Sequence, residues 1–148
     1  MRRILAMVTS LLLVLSLAGP AGAGDGGPQI NYVTIGSATV DRSGTVHIQG
    51  TLWCSQTMDV QIQWGQVEQV VGRTTTVRGG FGGWYLCNGT TPWESWTSAN
   101  DGKFTSGWAM IRVKFEGAYW CDDPNDPNTC YPHAGGGTDQ YLKIVRAR

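Results

Sequence analysis

The chain has 148 residues, with 11 basic and 11 acidic side chains making up 15% of it, alongside 21 glycines and seven tryptophans. This near-neutral, weakly charged composition lacks the electrostatic footprint of a nucleic-acid binder or of a protein drawn to an anionic membrane. Abundant glycine, threonine and aromatic residues point instead to an all-β fold with glycines at turns and bulges.

The first element in chain order is a secretion signal peptide over residues 1–23. Met1-Arg2-Arg3 forms a basic start, and residues 4–17 are apolar apart from Thr9, Ser10 and Ser16. Gly19-Pro20 follows, and Ala21-Gly22-Ala23 places small residues where a signal peptidase reads them. The apolar run is shorter than the roughly 20 residues that a membrane-spanning helix needs. Removing 23 of 148 residues leaves 125, enough for one domain with a real core. Arg2 and Arg3 leave with the signal, so nine basic residues face 11 acidic ones, a net of −2. Residues 24–29 then read as a flexible leader and 30–148 as the folded domain, soluble and secreted, with no membrane attachment after cleavage.

Period-two alternation recurs along that domain, and no segment carries an amphipathic helical pattern. A first strand is expected over 32–40, turned by Asp41-Arg42-Ser43-Gly44. In the second, Val46, Ile48, Gly50, Leu52 and Cys54 share the inner face, which puts Trp53 outside. A third has Met58, Val60, Ile62 and Trp64 inward, after which the pattern loosens through Gln66 to Gln69. Short strands at 74–77, 84–87 and 91–98 follow. The longest covers 107–119, with Ala109, Ile111, Val113 and Phe115 inward and Trp108, Arg112, Lys114 and Glu116 outward. The last, 140–146, carries Leu142 and Ile144. Seven to eight short strands separated by turn signals suggest an antiparallel β-sandwich, with a closed barrel as the alternative.

Four cysteines downstream of an export signal imply disulfides in an oxidising compartment rather than thiol chemistry or zinc. Three connectivities are open. Proximity favours Cys121–Cys130, closing the acidic segment 122–129 into a loop, with Cys54 then pairing to Cys87. In the chain-entropy model these bridges contribute roughly 3 and 4 kcal/mol, respectively. A crossed Cys54–Cys121 bridge would be the more orthodox immunoglobulin pairing, and Trp64 has the parity of a core tryptophan beside such a bridge.

Gly50-Thr51-Leu52-Trp53-Cys54-Ser55, Gln69-Val70-Val71-Gly72-Arg73 and Cys87-Asn88-Gly89 are followed by Trp93 and Trp96, then Phe104-Thr105-Ser106-Gly107-Trp108-Ala109. A cysteine-bounded acidic loop and Leu142-Lys143-Ile144-Val145-Arg146 complete the series. Together these resemble the small secreted immunoglobulin-like domains of actinobacteria over nearly all of the mature chain. The resemblance implies an immunoglobulin-like β-sandwich, the two bridges Cys54–Cys87 and Cys121–Cys130, and an extracellular bacterial setting. It carries no catalytic residue. Cys87 departs from the immunoglobulin pattern, because it comes before the penultimate strand.

Enzyme signatures are missing from the sequence. His47 lies on an outward strand face, His133 lies in a Pro-His-Ala-Gly segment, and no serine sits in a Gly-x-Ser-x-Gly elbow. A secreted hydrolase is therefore the remotest reading, and no cofactor is expected. The acidic loop presents Asp122, Asp123 and Asp126 as a weak calcium candidate, without the spacing of an EF-hand. The leading expectation is a non-catalytic protein-interaction domain. A carbohydrate-binding module using Trp53, Trp108, Trp96 and Trp120 is the alternative, since exposed flat rings hold both sugars and protein partners. The partner is an extracellular protein or a glycan.

Overall fold

The computed structural model describes residues 27–147. The expected signal peptide and residues 24–26 of the leader lie outside the described residues. Six strands follow one another: β1 (Ile30–Val40), β2 (Val46–Val71), β3 (Thr75–Phe81), β4 (Trp84–Thr97), β5 (Gly107–Cys121) and β6 (Cys130–Arg146). A single 3-10 turn, Pro127–Thr129, is the only helical piece among the described residues. The fold is all-β, as the alternation predicts.

Its organisation hinges on β2, 26 residues long. The first half pairs antiparallel with β1 (Val40↔Val46 to Tyr32↔Trp53) and the second half with β5 (Gln61↔Glu116 to Glu68↔Met110). On its other edge β2 pairs first with β4 and then with β3. The second and third strands expected from sequence are therefore one continuous strand that serves two layers. The same merging joins 84–87 with 91–97 in β4, so six strands stand where seven to eight were expected. The pairing is also mixed rather than purely antiparallel. Thr39↔Val145 and Val40↔Arg146 join β1 to β6 in parallel, and the ladder β1–β2–β5–β6 returns to β1. The last strand begins at Cys130 rather than at 140, because the whole acidic loop is the tip of a β5–β6 hairpin in unbroken register.

Val46, Ile48, Leu52, Val60, Val67, Ile111, Phe115 and Ile144 are sealed from solvent in one core. The inward and outward sets expected for β5 hold along its length. One expectation fails. Trp64 is 46% exposed, not buried. The β2–β5 register slips between Ile62↔Phe115 and Trp64↔Lys114, so Gln63 is a bulge residue. An extra residue reverses every later side chain. Gly65, Val67 and Gln69 turn inward and Trp64 outward, which also explains why the pattern loosened past Gly65. Buried Gln69 is satisfied by the backbone of Thr105, donating from Nε2 to its carbonyl (2.8 Å) and accepting from its N–H at Oε1 (3.0 Å).

The core tryptophan is Trp93, on β4. It stacks on Phe81, meets Phe115 edge-on at 5.4 Å, and donates from Nε1 to the Thr34 carbonyl (3.2 Å). Both disulfides are those favoured by proximity and implied by the resemblance, Cys54–Cys87 inside the core and Cys121–Cys130 at the hairpin tip.

The β1–β2 turn forms as the Asp41-Arg42-Ser43-Gly44 cluster predicts. Asp41 Oδ1 accepts from the Ser43 hydroxyl (2.6 Å), the Ser43 N–H (2.8 Å) and the Thr45 N–H (3.0 Å), while Gly44 takes φ 91°, a conformation that suits glycine. The Ser43 hydroxyl, then the Thr45 amide, hold the Asp41 carboxyl below the ordinary 3.8. A depressed carboxylate contributes its stabilisation above its unfolded pKa and loses it as pH falls through the folded value. The Ser43 and Thr45 amide resonances are accordingly expected to shift together at a midpoint below pH 3.8, while an Asp41→Asn variant lacks that transition.

Candidate functional site

Exposed aromatic side chains fall into three places that follow from the layers. On the outer face of β1, the first half of β2 and β4, cross-strand partners set two stacked pairs. Tyr32 lies against Trp53 (6.4 Å between ring centres, 19°) and His47 lies flat on Trp96 (4.5 Å, 3°). Six residues of β2 separate the two pairs, roughly 20 Å at about 3.3 Å per residue. Thr34, Thr51, Gln49 and Glu94 lie between them in the ladder. His47 Nε2 meets Glu94 Oε2 at 2.8 Å, so the ring on Trp96 is held by a carboxylate as well as by stacking.

The outer face of the other layer carries Trp64, Trp108 and Tyr141. Trp108 and Tyr141 are stacked, with ring centres 5.3 Å apart and planes inclined by 13°. Here three ion pairs lie beside the rings, with Lys143 opposite Trp108. Arg78 Nε contacts Glu68 Oε2 (2.6 Å), Arg112 lies against Asp139 (3.6 Å), and Lys114 donates to Glu116 (2.8 Å).

The third place lies where β2 changes partner from β1 to β5, beside the tip of the β5–β6 hairpin. Trp84, Leu86, Tyr119, Trp120 and Tyr131 are all exposed there, with Trp84 at 69% and Trp120 at 61%. Two adjoining clefts open among them, of about 510 Å³ and 420 Å³, and share Pro28, Ala118 and Tyr119. Ala118 sits at φ 53°, a left-handed conformation that costs a non-glycine residue of order 1–3 kcal/mol and that concentrates at functional sites. The ladder skips Ala118 and His133 between Gly117↔Ala134 and Tyr119↔Pro132. The register itself is unchanged, but the alternation of buried and exposed residues ends here, and consecutive Tyr119 and Trp120 are both exposed. Gln61 donates to the Tyr119 hydroxyl, and the Tyr131 hydroxyl donates to Asp122 (3.3 Å). The Asp122 carboxylate pushes the Tyr131 phenol above its usual range.

Comparison with family models, with curated proteins and with solved structures finds no match. The assignment of a site therefore rests on geometry.

The four tryptophans singled out from sequence are not brought to one surface. Trp53 and Trp96 share a face, Trp108 lies on the opposite layer, and Trp120 is at the hairpin end, packed edge-on to His133 (6.1 Å). Trp53 is half-buried by its packing with Tyr32. The acidic loop does not assemble a calcium cage. Asp123 Oδ1 accepts from the Asn125 N–H (2.9 Å), Asp126 Oδ1 accepts from the Asn128 N–H (2.9 Å), and Asp122 takes the Tyr131 hydroxyl. These are turn contacts of the kind Asx residues make. Among the described residues no group of three acidic, histidine or cysteine side chains is placed to hold a metal. Trp84, Tyr119 and Tyr131 escaped the sequence reading. The one available signal was the density of aromatics flanking Cys87 and Cys121, which alternation alone could not place on a face.

Proposed function

We propose that the chain is a secreted, non-catalytic binding module that engages a partner protein through its aromatic end. The observation that carries this reading is the cluster of Trp84, Leu86, Tyr119, Trp120 and Tyr131, exposed together around the strained Ala118. Large exposed rings set close together are what interface centres are built from, and folding alone gives no reason to leave them in water. Export rests on the 1–23 signal pattern and on the two disulfides, which persist in oxidising compartments. The kinship with actinobacterial immunoglobulin-like domains is supported by β2, which pairs with β1 along its first half and with β5 along its second. Counted as two segments, it brings the six strands to seven, with a core disulfide and a core tryptophan as such sandwiches have. The absence of catalysis is supported by the histidines. His47 is engaged by Glu94 and Trp96, and His133 by Trp120 and Tyr131, so neither is paired with a nucleophile.

The test is capture from native culture supernatant by the mature domain beside a Trp84→Ala/Trp120→Ala double variant. A partner retained by the native domain is expected to be lost by the variant, with affinity down at least about 30-fold, or roughly 2 kcal/mol for hot-spot aromatics. Equal retention by both would refute the aromatic end as the contact surface.

A further inference from the structure

We infer that the groove beside Trp108 and Tyr141 is a saccharide site for a neutral polysaccharide chain, separate from the aromatic end. The groove encloses about 440 Å³ and is lined by Glu68, Val70, Trp108, Met110, Arg112 and Tyr141. Ladder register builds it. Met110 stands opposite both Glu68 of β2 and Tyr141 of β6, Trp108 stands opposite Lys143, and Arg112 stands opposite Asp139. The result is an apolar floor, an aromatic wall and a polar rim.

Each component selects against other ligands. Tyr141 is stacked against Trp108 with planes inclined by only 13°, so the phenol props the indole in a fixed orientation while both rings stay more than half exposed. A pyranose offers the matching surface, an apolar face edged by hydroxyls. Glu68 is held by Arg78 and Arg112 by Asp139, so the two charged groups that line the groove are preorganised and offset each other. A balanced rim has no excess charge for an anion or a cation, while fixed carboxylate and guanidinium groups suit hydroxyl donors and acceptors. A protein contact prefers a continuous apolar centre, and here charged side chains interrupt the apolar surface on both sides. The volume falls in the lower part of the range for small-ligand sites, about 300–1,000 Å³.

The same face extends the site. Trp64 points outward beside Lys114, and the next outward pair along the ladder, Gln66↔Arg112, reaches the edge of the groove. It lies six residues along β2 from Val70, roughly 20 Å away. A chain lying parallel to β2 would therefore stack first on Trp108 and again on Trp64, and an isolated sugar would use only one of the two rings. The bulge at Gln63 is what turns that second ring outward.

The experiment is titration of the mature domain with neutral glucose, xylose and N-acetylglucosamine hexasaccharides and with the matching monosaccharides, followed by tryptophan fluorescence and calorimetry. One hexasaccharide series is expected to bind more tightly than its monosaccharide. Trp108→Ala is expected to weaken it at least tenfold and Trp64→Ala to weaken the hexasaccharide alone, with Trp108→Phe restoring most of the loss. Trp96→Ala, on the other layer, and the Trp84→Ala/Trp120→Ala pair should bind the sugar as the native domain does, which keeps this result distinct from the protein-partner reading. The inference is overturned if no neutral hexasaccharide binds at millimolar concentration, or if Trp108→Ala binds as tightly as the native domain.

Discussion

Trp93→Ala is expected to destabilise the domain by about 3–5 kcal/mol, the range for deleting a large buried aromatic. That is a fifth or more of the total stability of a typical domain, about 5–15 kcal/mol. Trp93 is 2% exposed and reaches from β4 to Phe81 of β3 and Phe115 of β5, so its removal opens a void where the layers meet. The Thr34 carbonyl also loses its indole donor. Trp93→Phe keeps ring contact but not the hydrogen bond, and its cost should fall between the native and alanine values. The complement is Gly50, opposite Trp93 in the β2–β4 ladder. A Cβ there would overlap the Thr34 carbonyl and come within 2.7 Å of the indole. Gly50→Ala is therefore destabilising on its own, and Trp93→Ala does not rescue it, because the carbonyl clash remains. Urea unfolding followed by far-UV circular dichroism reads both. A loss under about 1 kcal/mol for Trp93→Ala would contradict the packing described.

Removing the core bridge with Cys54→Ala/Cys87→Ala ranks second, at about 4 kcal/mol from loop entropy, against about 3 kcal/mol for Cys121→Ala/Cys130→Ala. The sequence separations of 33 and 9 residues set that order. Location widens it. Cys54 and Cys87 are buried, so their truncation also leaves unfilled core volume, whereas Cys121 and Cys130 are half-exposed at a hairpin tip. Under graded reduction the tip bridge should open first, which alkylation with peptide mapping can follow. Its opening frees the adjacent Trp120↔Tyr131 pair while the core stays folded. Partner capture should then fall before the far-UV spectrum changes. If the core bridge is reduced first, the burial of that bridge is refuted.

Much of the fold was legible locally. Asp41-Arg42-Ser43-Gly44 announced its turn, because an Asx side chain can bind the backbone two and four residues on without help from elsewhere. β5 announced both its faces, since 107–117 alternate without interruption against a packed interior. The candidate sites were less legible. Trp108 and Trp96 were read as outward from strand parity or left open, and both are exposed. Trp84 and Tyr119 depend on where β4 and β5 meet β2, which involves residues far apart in the chain.

Alternation and turn chemistry, both carried within a few residues, determined that this protein is all-β, that Cys54 faces inward, and that β5 presents Trp108 to solvent. Only the tertiary structure decided that Trp64 points out and Trp93 in, that two expected strands are one, and that β1 closes on β6 in parallel. The physical reason is that a register slip such as the one at Gln63 is a difference between residue counts on two paired strands. Neither strand contains that difference alone, yet it reverses every side chain beyond it.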